Sequence, residues 1–67
     1  MDGDCLVSLI VDTNGMPQNI HMVKILAPSL DLKAMNAIKQ YRFKPAMKDG
    51  KTPVAVPITI EVDFRLY

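Results

Sequence analysis

The side chains best suited to covalent or acid–base chemistry are Cys5, Ser8 and His21. Cys5 and Ser8 stand in one apolar run, CLVSLIV from Cys5 to Val11, and His21 stands in a second, QNIHMVKIL from Gln18 to Leu26. If the two runs pair as a hairpin, Ser8 can face His21, a hydroxyl beside a base. Nucleophilic catalysis needs more: a third group to orient the base, and an oxyanion site in a cleft. A domain of this size offers little cleft and the sequence carries no catalytic motif. The pair therefore reads as a cross-strand polar contact, and no enzyme activity is expected. Cys5 has no second cysteine to join, and its neighbours Leu6, Val7 and Leu9 to Val11 suit a buried, inert thiol. The residues before it, Asp2-Gly3-Asp4, are wrong for lipid attachment. One histidine and one cysteine make no ligand set at metal spacing, so neither a metal nor another cofactor is expected.

Composition narrows the rest. The chain has 67 residues, enough for one small domain, taken here as residues 1–67. A chain this short hides only about 60% of the surface its unfolded form exposes, so its stability is marginal. Eight Lys and Arg against seven Asp and Glu give a formal charge of +1. Nucleic-acid binders carry a strong basic excess, and that class is set aside. No apolar stretch approaches the ~20 residues that cross a bilayer. No basic-plus-apolar signal peptide opens the chain, so work outside the cytoplasm would require a targeting segment upstream.

The elements that position these residues follow from patterning. Cys5 to Val11 is β-branched and long enough for a strand. Asp12-Thr13-Asn14-Gly15 follows, and Asn-Gly is a strong hairpin signal. A two-residue turn on Asn14-Gly15 sets Ser8 opposite His21; a bulged turn from Asp12 moves the pairing by one. The first register is preferred, because Ile20 and Met22 then share a face with Val7, Leu9 and Val11. Ala27 to Leu30 interrupts the pattern, and Asp31 is predicted to N-cap a helix, with Leu30 and Met35 as its hydrophobic staple. Leu30, Ala34, Ala37, Ile38 and Tyr41 recur at helical spacing. Pro45 disfavours helix from Lys44 onward, which places the end near Tyr41. Asp49-Gly50 marks another turn. From Val54 the alternate residues Val56, Ile58, Ile60, Val62, Phe64 and Leu66 are apolar, the mark of a long strand with one buried face. Pro57 lies inside it and has no N–H to donate, which assigns this strand to a sheet edge. The predicted fold is α+β, in the order β-β-α-β. It is a three-stranded antiparallel sheet in spatial order 2-1-3, with a right-handed crossover and one helix on one face.

Three stretches in this order resemble the TonB C-terminal domain family, and the likeness covers nearly the whole chain. Val7-Ser8-Leu9-Ile10-Val11-Asp12-Thr13-Asn14-Gly15 is similar to its first strand and aspartate–glycine turn. Leu30-Asp31-Leu32-Lys33-Ala34-Met35-Asn36-Ala37-Ile38 is similar to its Leu-Asp helix start. Tyr41-Arg42-Phe43-Lys44-Pro45-Ala46, then Asp49-Gly50-Lys51, resembles its aromatic–Arg–aromatic–x–Pro signature. Read physically, the two rings of that signature close the core at the corner after the helix, and Pro45 keeps the exit extended. Family members carry a further stretch with a short helix before the first strand, a Pro-rich spacer and a membrane anchor, none of which this chain contains.

The resemblance implies a periplasmic domain, tethered to the inner membrane through sequence outside this chain. It would capture an extended segment of an outer-membrane receptor and pass on force drawn from the proton gradient. It would meet the inner-membrane proton-channel motor proteins through the N-terminal part. The residues supply a mechanism. An open edge on the last strand presents unpaired N–H and C=O groups to which a peptide can add as a strand. Val54 to Arg65 would span roughly 40 Å at ~3.3 Å per residue. The expected partner-binding residues are Val54, Val56, Ile58, Thr59, Ile60, Glu61 and Val62, with Ile58 to Val62 at the centre. Two alternatives remain at this point: a self-associating module that pairs or swaps strands as a homodimer, and a structural module that binds the cell wall. The cluster Lys39, Arg42, Lys44, Lys48 and Lys51, opposed nearby only by Asp49, either attracts anionic groups or is a solvated surface whose charges suit the helix dipole.

Overall fold

The computed structural model describes residues 3–65; Asp2, Leu66 and Tyr67, to which the sequence reading extended, lie outside them. The elements are β1 (Gly3–Val11), β2 (Pro17–Lys24), α1 (Pro28–Lys39), β3 (Ala46–Lys48), β4 (Thr52–Val54) and β5 (Val56–Phe64). β2, β1 and β5 form a three-stranded antiparallel sheet in that spatial order, as the 2-1-3 order requires of the three long strands. β3 and β4 form a separate two-stranded hairpin that the predicted β-β-α-β order does not contain. Its turn is Asp49-Gly50, both at positive φ (54° and 69°), closed by the Lys51 amide donating to the Lys48 carbonyl at 3.1 Å. That geometry is the tight reversal Asp-Gly favours.

The core lies between β1 and α1. Cys5, Val7, Leu9 and Val11 project from one face of β1 and meet Ala34 and Ile38 of the helix, all buried. Strand alternation puts these four on one side, and helical spacing puts Ala34 and Ile38 one turn apart on the facing side. Ile20 and Met22 from β2, Val56 to Phe64 at alternate positions of β5, and Phe43 pack around this centre half-buried. The helix-facing side of β1 is thus fully buried, and the outer strands are covered only in part.

The helix begins a turn earlier than predicted. Pro28 occupies its first turn, where a fixed φ and a missing N–H cost nothing, and Ala27 holds the extended N-cap position with no side-chain cap. Asp31 is therefore not the N-cap, and Leu30 and Met35 do not flank the start as a staple. Asp31 instead sits inside the first turn, 7% exposed. Its carboxylate reaches back to accept the Leu26 amide at 3.1 and 3.3 Å. It satisfies a donor of the incoming loop and places a negative charge at the positive end of the helix. Tyr41, assigned to the buried helical face, is 45% exposed and stacks edge-on against Phe43 with ring centroids 5.8 Å apart.

Candidate strand-pairing edge

The hairpin joining β1 to β2 decides how the sheet ends on one side. Gly15 donates to the Asp12 carbonyl and Asp12 donates to the Met16 carbonyl, each at 3.0 Å, with Gly15 at φ 80°. This is a type I turn followed by a left-handed glycine, the bulged alternative rather than the preferred two-residue turn. Its pairing carries Val11 to Pro17 and Ile10 to Gln18. Ser8 nevertheless faces His21, because Asn19, at φ 53°, adds a residue to β2 and Leu9 is opposed by both Asn19 and Ile20. A second irregularity follows: Leu6 pairs with Lys24 and Val7 with Met22, which leaves Val23 without a partner. β2 is therefore interrupted twice along its length. Such bulges kink a strand and blunt its outer edge.

β5 is the opposite case. It pairs with β1 without interruption from Gly3–Phe64 to Val11–Val56. The directions of its backbone groups follow from alternation. Asp12 turns its N–H toward β2, so the even residues of β1 bond to β2 and the odd ones to β5. Ile10–Pro57, Ser8–Thr59, Leu6–Glu61 and Asp4–Asp63 are then the non-hydrogen-bonded pairs of the β1–β5 ladder. Pro57 agrees independently, since its missing N–H points away from β1 and breaks no ladder bond. The outward groups of β5 are the Pro57 carbonyl and the N–H and C=O of Thr59, Glu61 and Asp63.

The residues expected to bind a partner fall into three sets. Thr59 and Glu61 carry outward backbone groups and exposed side chains. Val56, Ile58, Ile60 and Val62 bond inward to β1, while their half-buried side chains form the uncovered margin of the core. Val54 belongs to β4 and pairs with Ala46 in the small hairpin, outside β5. Asp63 shares the outward direction and was not among the expected residues; counting by twos from Pro57 would have found it.

Charge along this edge is uneven. Asp63 is paired with Arg65 at 3.1 Å, and on the far side of the sheet Lys24 is paired with Asp4 at 3.0 Å. Glu61 makes no ion pair among the described residues and has the apolar Leu6 as its cross-strand neighbour. Lys39, Arg42, Lys44, Lys48 and Lys51 are all exposed, and the Arg42 guanidinium donates to the Tyr41 carbonyl at 2.9 Å.

The remaining candidates for chemistry are structural in their surroundings. Cys5 is fully buried; burial pushes its thiol up from the usual value, and the carboxylates of Asp31 and Asp4 add to the shift. His21 is exposed and its Nδ1 lies 3.0 Å from the Asn19 carbonyl oxygen, with no carboxylate hydrogen-bonded to the ring among the described residues. Among the described residues no cluster of His, Cys, Asp and Glu could hold a metal, and no helix is long and apolar enough to cross a membrane.

No curated protein and no solved structure matches the chain. The family described as Gram-negative bacterial TonB protein C-terminal matches residues 1–66. That span takes in the hairpin, the helix, the aromatic signature and the straight edge strand alike. The chain belongs to the TonB C-terminal domain family, a periplasmic, transport-associated family and not a family of enzymes.

Proposed function

We propose that this domain is the receptor-binding end of an energy transducer, and that it engages an outer-membrane receptor by adding a strand of the receptor to β5. The observation that carries this reading is the uninterrupted β5 edge, with outward N–H and C=O groups at Thr59, Glu61 and Asp63 beside a half-buried apolar row. Strand addition draws affinity from main-chain bonds and specificity from alternate side chains, and β5 offers both. The family's general association with outer-membrane receptors supports the choice of partner. In this reading the full-length protein is anchored in the inner membrane. It couples the proton-motive force, through motor proteins that meet its N-terminal part, to active transport across the outer membrane. Force applied along β5 would load several ladder bonds together.

An NMR titration of the isotopically labelled domain with short extended receptor peptides tests the reading. The expected result is a set of shifts centred on the amides of Thr59, Glu61 and Asp63. Shifts confined to β2 or to the β3–β4 hairpin would overturn it. Concentration-dependent dimerisation without peptide binding would favour the self-associating alternative.

A further inference from the structure

The β5 edge also specifies what kind of strand it takes, an inference that rests on the strand-addition reading above. One of its outward positions, Pro57, is a proline and has no N–H to donate. Going from Pro57 toward Phe64, the outward donors are Thr59, Glu61 and Asp63. Within β5 a partner strand can therefore make a full two-way ladder over Thr59 to Asp63, with Glu61 at its centre. On the helix side of the sheet the partner would lie against Ile60 and Val62, which flank Glu61 and are half-buried. On the other face it would lie beside the Glu61 carboxylate, exposed and without an ion-pair partner among the described residues. Residues that are apolar on one face and cationic on the other would complement both.

We infer that the preferred partner is a short extended peptide with lysine or arginine opposite Glu61 and aliphatic residues on either side of it, opposite Ile60 and Val62. The aliphatic pair extends the apolar row that α1 leaves uncovered. The cation meets Glu61 across the new strand pair, where opposite charges attract and like charges repel. The pattern is symmetric about its centre, so it holds whether the partner runs parallel or antiparallel to β5. Asp63 contributes its backbone groups, its carboxylate being held already by Arg65.

The test compares three seven-residue peptides that are identical except for a central Lys, Gln or Glu between aliphatic residues. Affinities are measured by NMR titration against the unaltered domain and against Glu61→Lys. Glu61 is exposed on an edge strand, and an unchanged amide spectrum elsewhere establishes that the variant is folded. For the unaltered domain the expected order is Lys, then Gln, then Glu, with the extremes roughly two- to thirtyfold apart. In Glu61→Lys the order reverses, and in both proteins the spread narrows as salt is raised. Equal affinities for the three peptides, or an order that Glu61→Lys leaves unchanged, overturn the charge assignment while leaving strand addition in place. Failure of all three peptides to bind the folded domain overturns both.

Discussion

The Gly15 carbonyl accepts a hydrogen bond from the Phe43 amide at 2.8 Å, and a methyl group placed on Gly15 would lie 2.1 Å from the Phe43 carbonyl oxygen. The aspartate–glycine turn and the aromatic–Arg–aromatic signature, far apart in sequence, are thus pressed backbone to backbone. This contact ties the end of the hairpin to the chain leaving α1. It also explains physically why the two motifs belong together: the signature can close the corner only where the turn has no side chain.

Gly15→Ala should destabilise the domain by more than the ~1–2 kcal/mol that positive φ alone costs an L-residue, because the Phe43 backbone must move as well. Gly50→Ala is the control, since Gly50 also has positive φ but a Cβ there meets nothing within 4 Å. Urea unfolding of the two variants should show Gly15→Ala as clearly the worse. Equal losses would mean that the contact with Phe43 adds nothing.

Asp12 should set part of the acid limb of stability. Its carboxylate accepts the Met16 and Asn14 amides, each at 2.9 Å, and the Gln18 side-chain amide at 3.0 Å. The Met16 amide is the largest influence holding it below the usual carboxylate range, with Gln18 and Asn14 acting the same way. A depressed folded value means stability that is present above the unfolded value, ~3.9, and is lost as pH falls through the folded one. Asp12→Asn should flatten the loss in that window, read from unfolding midpoints along a pH series.

Cys5 works in the opposite direction. Its raised folded value gives stability that is complete below the unfolded value, ~8.5, and is lost as pH rises through the folded one. In the native state the thiol should react with a disulfide reagent only through opening of the fold. Labelling as fast as that of a free thiol would contradict the burial.

Asp31→Ala should cost about 1–3 kcal/mol, because the Leu26 amide loses its acceptor in a partly buried site. Asp31→Asn retains an acceptor oxygen and should recover much of the loss. Thermal unfolding of the two variants separates acceptor from charge.

A proline scan along β5 reads the direction of each amide. Thr59→Pro and Glu61→Pro remove outward donors and should weaken peptide binding while leaving the domain folded. Ile60→Pro removes a ladder bond to Val7 and should unfold the domain or shift its unfolding midpoint strongly downward. Pro57→Thr should matter less to binding than either outward proline. Unchanged peptide affinity in both Thr59→Pro and Glu61→Pro would count against the proposed edge.

Much of the fold was legible because β1, β2 and β5 alternate and α1 has helical spacing. Pro57, inside an alternating run and without an N–H, marked the edge strand. The features that the pattern does not encode were set by backbone conformation. Asn19 adopts positive φ, which asparagine tolerates, and its bulge restores the Ser8–His21 pairing that the turn would otherwise shift. Pro28 starts the helix before Asp31 because a fixed φ at the first position outweighed the stronger capping type. The three-residue strands β3 and β4 are too short for alternation to register, so only their Asp49-Gly50 turn was visible. For the edge, the exposed residues of β5 could be read from alternation. Which amides point outward required the register of the whole sheet.

The contrast between the twice-interrupted β2 and the uninterrupted β5 has a consequence for assembly. A sheet with two usable sides can recruit copy after copy and grow into a filament. Of the two outer strands described in this sheet, β5 alone pairs without interruption, so two copies that met through it would be related by a twofold axis and would consume that side of both. The pair would be closed. Self-association of this domain should therefore stop at two, and a receptor strand would compete with the second copy for the same place.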